Sequence, residues 1–311
     1  MRKPRALTPG DRVAVVAPAS PFARDEFDAG IEEIRALGFE PVFDASVFER
    51  KSYLAGPAEV RAAAWIRAWQ DPSVAALVAV RGGYGSVQIL PALAAAGVCS
   101  GPPKAFIGYS DNTSILSWLT TRCGIVSVHG PMLEGRLAKG AAGYDRDTFL
   151  RCLTRAEPMG EVGHELLETV REGEVEGILV GGTLTQLLAS LGTPFAFEPP
   201  PGCVLFLDEV GERPYRLDRM LTQLRLTGLL ARASAVVFGE LPRCDEPGSG
   251  PAGRNVVEEL LSDFPGPVLF GLPSGHTSGA TLTLPFGVRA RVVAGRKPSL
   301  VILESAVEQS S

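Results

Sequence analysis

Residues 104–116, KAFIGYSDNTSIL, have the order needed to expose a nucleophile. A short apolar run at 105–107 reaches a Gly-Tyr-Ser-Asp-Asn turn and then opens a helix. That order lifts Ser110 onto a tight strand-to-helix turn at the carboxyl edge of a sheet. Gly108 relieves crowding before the turn, and Asp111, Asn112 and Thr113 are suited to cap the helix that follows. Free N–H groups and the positive end of that helix lie close to Ser110, where a developing oxyanion is stabilised. The alternative is that Ser110 only caps the helix. Asn112 also stands where a Gly-x-Ser-x-Gly elbow has its last glycine.

A serine nucleophile needs a base, an acid to orient it and donors for the oxyanion. RGGYGS (81–86) lacks the third glycine of a dinucleotide fingerprint and the Gly-Lys-Ser/Thr of a phosphate loop. Its glycines allow close backbone approach, so their N–H groups can supply half of an oxyanion hole, or the segment is only a tight turn. Of three histidines, His164 reads as a solvated loop residue beside Gly163 and Glu165. His129 follows a strand, and His276 sits in a glycine-rich polar loop, GLPSGHTSGATLTLP, so both are candidate bases. Asp208 and Glu209 end the strand CVLFLDEV and are the candidate acids. Neighbouring strand residues face opposite sides, so only one of them can reach a cleft. No histidine pair or cysteine set has metal-ligand spacing, and neither a metal nor any other cofactor is expected.

The elements that position these groups alternate. VAVVAP (13–18) is a buried-strand run, 25–37 a helix, 41–48 a strand, 57–69 a helix and 74–80 a third strand entering RGGYGS. The turn at Ser110 ends a fourth strand, and 125–128 is a fifth. Short βαβ units make a mostly parallel sheet, with ligand sites beyond its carboxyl edge. Across 138–174 glycines and prolines weaken the pattern, which reads as a connector. Then come a strand entering a Gly-Gly turn at 181–182, an apolar helix, CVLFLDEV, an amphipathic helix, and a tail that alternates as antiparallel strands do. The expectation is an α/β protein: an N-terminal α/β domain at 1–140, a connector at 141–174 and a smaller β-rich domain at 175–311.

At 311 residues the chain exceeds what one core usually supports, which favours two domains. A net charge of −5 argues against nucleic acid or an anionic membrane as partner. Five scattered cysteines suit reduced thiols, and no apolar run has the length of a signal peptide or a membrane span, so a cytoplasmic location is expected.

Taken together, PGDRVAVVAPAS, YLAG (53–56), RGGYGS, IGYSDNT, LVGGTL (179–184), LFLDEVGERPYRLDRMLTQL and GLPSGHTSGATLTLPFGVRARV resemble the LD-carboxypeptidases. The resemblance spans nearly the whole chain. It implies a metal-free cytoplasmic serine peptidase, commonly a homodimer, that removes the terminal D-alanine of murein tetrapeptide during peptidoglycan recycling. It also implies an N-terminal domain like that of class I glutamine amidotransferases. A sister branch hydrolyses microcin-type peptidyl nucleotides and confers immunity, and a catalytically silent murein-peptide sensor is the non-enzymatic alternative. Carried over, Ser110 matches the nucleophile, His276 the base, and the N–H groups of Gly83 and Asp111 the oxyanion hole. The family's acid is a glutamate, often within Glu-Asp, where this chain has Asp208-Glu209. Both stay open, with Glu209 preferred for chemical identity. Thr183 replaces the asparagine of a Gly-Gly-Asn substrate-contact motif. Arg81 is the candidate partner for the substrate's terminal carboxylate.

Overall fold

The computed structural model describes every residue except His164, Leu166, Ser249, Ser310 and Ser311, so the expectation for His164 lies outside the described residues. Strands β1 (Arg12–Val16), β2 (Glu40–Val42), β3 (Val74–Ala79), β4 (Ala105–Gly108) and β5 (Ser127–His129) are parallel, in the spatial order β5-β4-β3-β1-β2. All six residues of β3 are buried, as a run with both faces covered requires. Helices α1 (Arg24–Ala36), α2 (Ala58–Gln70), α3 (Leu90–Ala95) and α4 (Thr113–Thr121) connect the strands. The strand expected at 41–48 stops at Val42. Asp44 then accepts from Ser46 N and starts a 3-10 helix, Ala45–Phe48, a local bond that competes with the ladder.

Residues 141–174, expected as a connector, hold α5 (Arg146–Thr154), β6 (Gly160–Val162) and β7 (Glu168–Arg171). The glycines and prolines there separate short elements. β8 (Gly173–Thr183) runs straight through Gly181 and Gly182, where a turn was expected. A Cβ on Gly182 would come within 2.5 Å of Thr113 Cγ2, so glycine lets β8 lie against the first turn of α4. The chain continues through α6 (Leu184–Ala189), β9 (Cys203–Asp208), α7 (Pro214–Leu226), β10 (Ala233–Gly239), α8 (Gly253–Leu260) and β11 (Val268–Leu272). Strands β12 (Leu284–Phe286), β13 (Arg289–Ala294) and β14 (Ser299–Ile302) end it.

The second sheet has the order β6-β14-β13-β8-β9-β10-β11-β7. Its centre, β8 to β11, is parallel, and its flanking pairs are antiparallel. The molecule is therefore α/β, with a parallel sheet in the N-terminal part and a β-rich C-terminal part. β12 returns to the first sheet and pairs antiparallel with β5, Leu284 opposite His129. One apolar core runs between the sheets and joins Val15, Ile107 and Val128 to Phe206, Phe286 and Val292. Helices α2 to α4 cover the outer face of the first sheet, and α6 to α8 that of the second. Cys99 and Cys123 form a disulfide, which corrects the expectation of five reduced thiols; Cys152, Cys203 and Cys244 are free and buried. Among the described residues no helix is long and apolar enough to cross a membrane.

Candidate active site

Ser110 has φ +60°, a left-handed backbone that a non-glycine residue keeps only when its surroundings hold it, at a cost of about 1–3 kcal/mol. The surroundings are specific. The Asp111 carboxylate accepts from Ser86 N at 2.7 Å, and Ser86 Oγ donates to Asp111 O at 2.6 Å. Asn112 Nδ2 donates to Arg81 O at 3.2 Å, and Thr113 Oγ1 accepts from Thr183 N at 3.1 Å. The three residues expected to cap α4 therefore fasten the nucleophile turn to RGGYGS and to β8. Burial explains the change, because polar groups removed from water take whatever partners the packed segments offer.

Two further side chains reach Ser110 in series. His276 Nε2 lies 3.2 Å from Ser110 Oγ, and His276 Nδ1 lies 2.7 Å from Asp208 Oδ2. Asp208 is fully buried, and both its oxygens also accept from His276 N at 3.2 Å. An imidazole held in this way presents one nitrogen to the hydroxyl and donates the other to a carboxylate, the arrangement that takes a proton from serine. Burial pushes the His276 pKa down, but the charge and hydrogen bond of Asp208, with Glu209 behind, outweigh it and leave the pKa raised.

Glu209 does not face His276. Its carboxylate accepts from Thr185 N at 2.9 Å, Thr185 Oγ1 at 2.6 Å and Val210 N at 3.0 Å, at the start of α6. The preference for Glu209 on grounds of chemical identity is thus corrected. The strand's alternation sends consecutive side chains to opposite faces, and it is Asp208 that meets the histidine loop.

The RGGYGS turn packs directly on the nucleophile. A Cβ on Gly82 would lie 2.8 Å from Ser110 Cβ, 2.9 Å from its Oγ and 3.3 Å from Asp111 N. Gly82, not Gly83, is the glycine in contact. Gly82 O accepts from Ser20 N at 3.2 Å, so the Gly83 N–H of the same planar peptide points away from Ser20.

Arg81 and Thr183, expected at substrate, are both engaged by the protein. Arg81 pairs with Glu134 at 2.9 Å and donates to Pro21 O at 2.9 Å, so its charge is already offset. Thr183 is buried, with its hydroxyl 3.4 Å from Asp208 Oδ2, which makes it a neighbour of the acid and not a lining residue. His129, the other candidate base, is fully buried against Phe206 and Phe286, and burial takes its pKa down to about 3. It does not reach Ser110. Sequence reasoning missed Ser86 and Arg136, whose partners are distant carbonyls and turns that leave no spacing signal. Among the described residues no three His, Cys, Asp or Glu side chains gather as a metal site would.

Comparison with known proteins places the chain among relatives of one family. Residues 13–130 match the LD-carboxypeptidase N-terminal domain and residues 176–292 the LD-carboxypeptidase C-terminal domain. The murein tetrapeptide carboxypeptidase of Pseudomonas aeruginosa is 32% identical over 85% of this chain and 88% of its own. The microcin C7 self-immunity protein MccF of Escherichia coli is 26% identical over 89% of this chain and 88% of its own. A crystal structure of muramoyltetrapeptide carboxypeptidase from Oxalobacter formigenes superposes with TM-score 0.80 at 27% identity, covering 96% of this chain and all of that one.

Proposed function

This chain belongs to the LD-carboxypeptidase family, and on that premise we propose that it is a serine carboxypeptidase cleaving the bond between an L-centre and the terminal D-alanine of murein tetrapeptide. The observation that carries the reading is the series Ser110–His276–Asp208, whose members come from both sheets and touch at 3.2 and 2.7 Å. Ser110 Oγ attacks the carbonyl carbon as its proton passes to His276 Nε2. The N–H groups of Asp111 and Gly83 receive the oxyanion. His276 then gives the proton to the leaving amine of D-alanine, and the C–N bond breaks. Water, deprotonated by the same imidazole, hydrolyses the acyl-enzyme and restores Ser110. Asp208 fixes the tautomer throughout and stabilises the imidazolium. On this reading the protein works in the cytoplasm, as a homodimer, on peptides recovered from the wall.

A second reading, a peptidase for peptidyl nucleotides, is favoured by the likeness to MccF and by one structural feature. Tyr84, in the turn that packs on Ser110, and Tyr53 are both exposed, with ring centroids 6.1 Å apart, a surface on which a flat base can stack. A substrate panel separates the two. Murein tetrapeptide and an aminoacyl sulfamoyl nucleoside are offered to the purified protein, and kcat/KM is compared by mass spectrometry. The first reading expects the tetrapeptide to be preferred by at least about tenfold, or 1.4 kcal/mol. The reverse preference supports the second, and turnover of neither sets both aside in favour of a binding protein.

A further inference from the structure

Arg136 lies between β5 and α5, far in sequence from His276, yet its guanidinium holds the loop that carries the histidine. A guanidinium has five N–H bonds, and all five are used here. Nε donates to Tyr109 Oη at 3.3 Å, Nη1 to Gly143 O at 3.3 Å and Gly279 O at 2.8 Å, and Nη2 to Gly275 O at 2.9 Å and Thr277 O at 3.2 Å. None of these acceptors is a carboxylate. Gly275, Thr277 and Gly279 bracket His276, and Tyr109 immediately precedes Ser110, its ring edge-on to the imidazole at 5.1 Å between centroids. With every donor committed, Arg136 cannot take a substrate carboxylate without releasing the loop.

We propose that Arg136 is a positioning residue, which pins the His276 loop to the Ser110 turn and places beside the imidazole a cation that has no carboxylate partner among the described residues. The titratable and charged groups around His276 are Asp208 from the end of β9, Tyr109 after β4, His129 on β5, Arg136, and Glu240 after β10, which accepts from Ser278 N at 2.8 Å, with Glu209 acting only through its charge from the far face of that strand end. Burial lowers the His276 pKa first, Asp208 and Glu209 raise it, and Arg136 lowers it. Removing the arginine's charge therefore raises that pKa further. A loop that merely drifts from Asp208 loses the main raising influence, and its pKa falls.

The inference rests on Ser110 being the nucleophile, so the test uses diisopropyl fluorophosphate, whose reaction needs no knowledge of the peptide. Serine oxygen displaces fluoride at phosphorus while His276 takes the hydroxyl proton. The rate is followed against pH for wild type, Arg136→Gln and Arg136→Lys, and His276 is titrated in each by NMR of its ring protons. Arg136→Gln should react at least about tenfold more slowly on its plateau, since misplacement near 1 Å costs up to about a hundredfold. Its acid limb should move to higher pH. Arg136→Lys keeps the charge with three donors, so it should also be slow, with the limb unmoved. Wild-type rates in both variants, or a limb in Arg136→Gln that stays put or moves to lower pH, overturn the proposal. Should the glutamine variant not fold, a wild-type rate in the lysine variant overturns it alone. Failure of the wild type to react counts against Ser110 instead, and the His276 titration of Arg136→Gln against wild type still decides the role of Arg136.

Discussion

Asp208 and Glu209 are consecutive, yet Asp208 Oδ2 sits 2.7 Å from His276 Nδ1 while Glu209 is bound by Thr185 and Val210. The same alternation that puts one carboxylate on the histidine puts the other on the first turn of α6. Their substitution should therefore separate cleanly. Asp208→Asn should lower kcat by about 10³–10⁴-fold with little change in fold, because the tautomer is lost and the geometry is kept. Glu209→Ala should cost about 1–3 kcal/mol of stability through stranded donors and change the rate far less. Chemical denaturation and steady-state kinetics on the two variants check this, and crippled kinetics in Glu209→Ala with a normal Asp208→Asn would reverse the roles.

The raised pKa of His276 has a direct kinetic reading. The imidazole must be neutral to take the serine proton, so kcat/KM should fall as pH drops, with a midpoint above the ordinary value of about 6.5. Since the folded state holds this proton more tightly than the unfolded chain, the coupling stabilises the fold below the unfolded pKa. It is lost as pH rises through the raised one. In Asp208→Ala the midpoint should move down, because the chief raising influence is gone. A midpoint that is unchanged in that variant would separate Asp208 from His276 in function.

Gly82 predicts a lesion of another kind. A methyl there would stand 2.9 Å from Ser110 Oγ and 3.3 Å from Asp111 N, between the proposed nucleophile and a proposed oxyanion donor. Gly82→Ala should lower kcat/KM by at least about a hundredfold, the scale of losing one oxyanion donor, with a small change in Tm. Near-normal turnover would remove RGGYGS from the site.

The sequence made the alternating elements legible because buried parallel strands read as unbroken apolar runs, and Ser110 was legible from the strand-to-helix turn around it. The mixed second sheet was harder to read. β8 passes through two glycines that resemble a turn, and their role, close approach to α4 and β9, depends on partners far along the chain. β12 joins the first sheet for the same long-range reason. At the site, family motifs pointed to His276, but choosing between Asp208 and Glu209 required knowing which face of β9 the histidine loop covers. Arg136 had no local signal, since four of its five acceptors are backbone carbonyls, which every residue possesses.

In the proposed reaction Ser110, activated through His276 and Asp208, opens the bond to a terminal D-alanine. Its most direct test is mass spectrometry of purified murein tetrapeptide after incubation with wild type and with Ser110→Ala. Wild type should convert tetrapeptide to tripeptide plus free D-alanine. The variant, correctly folded, should be slower by several orders of magnitude, about 10⁶-fold where such a relay is fully disabled. Tetrapeptide left intact by the wild type, or tripeptide formed at comparable rates by both proteins, would contradict it.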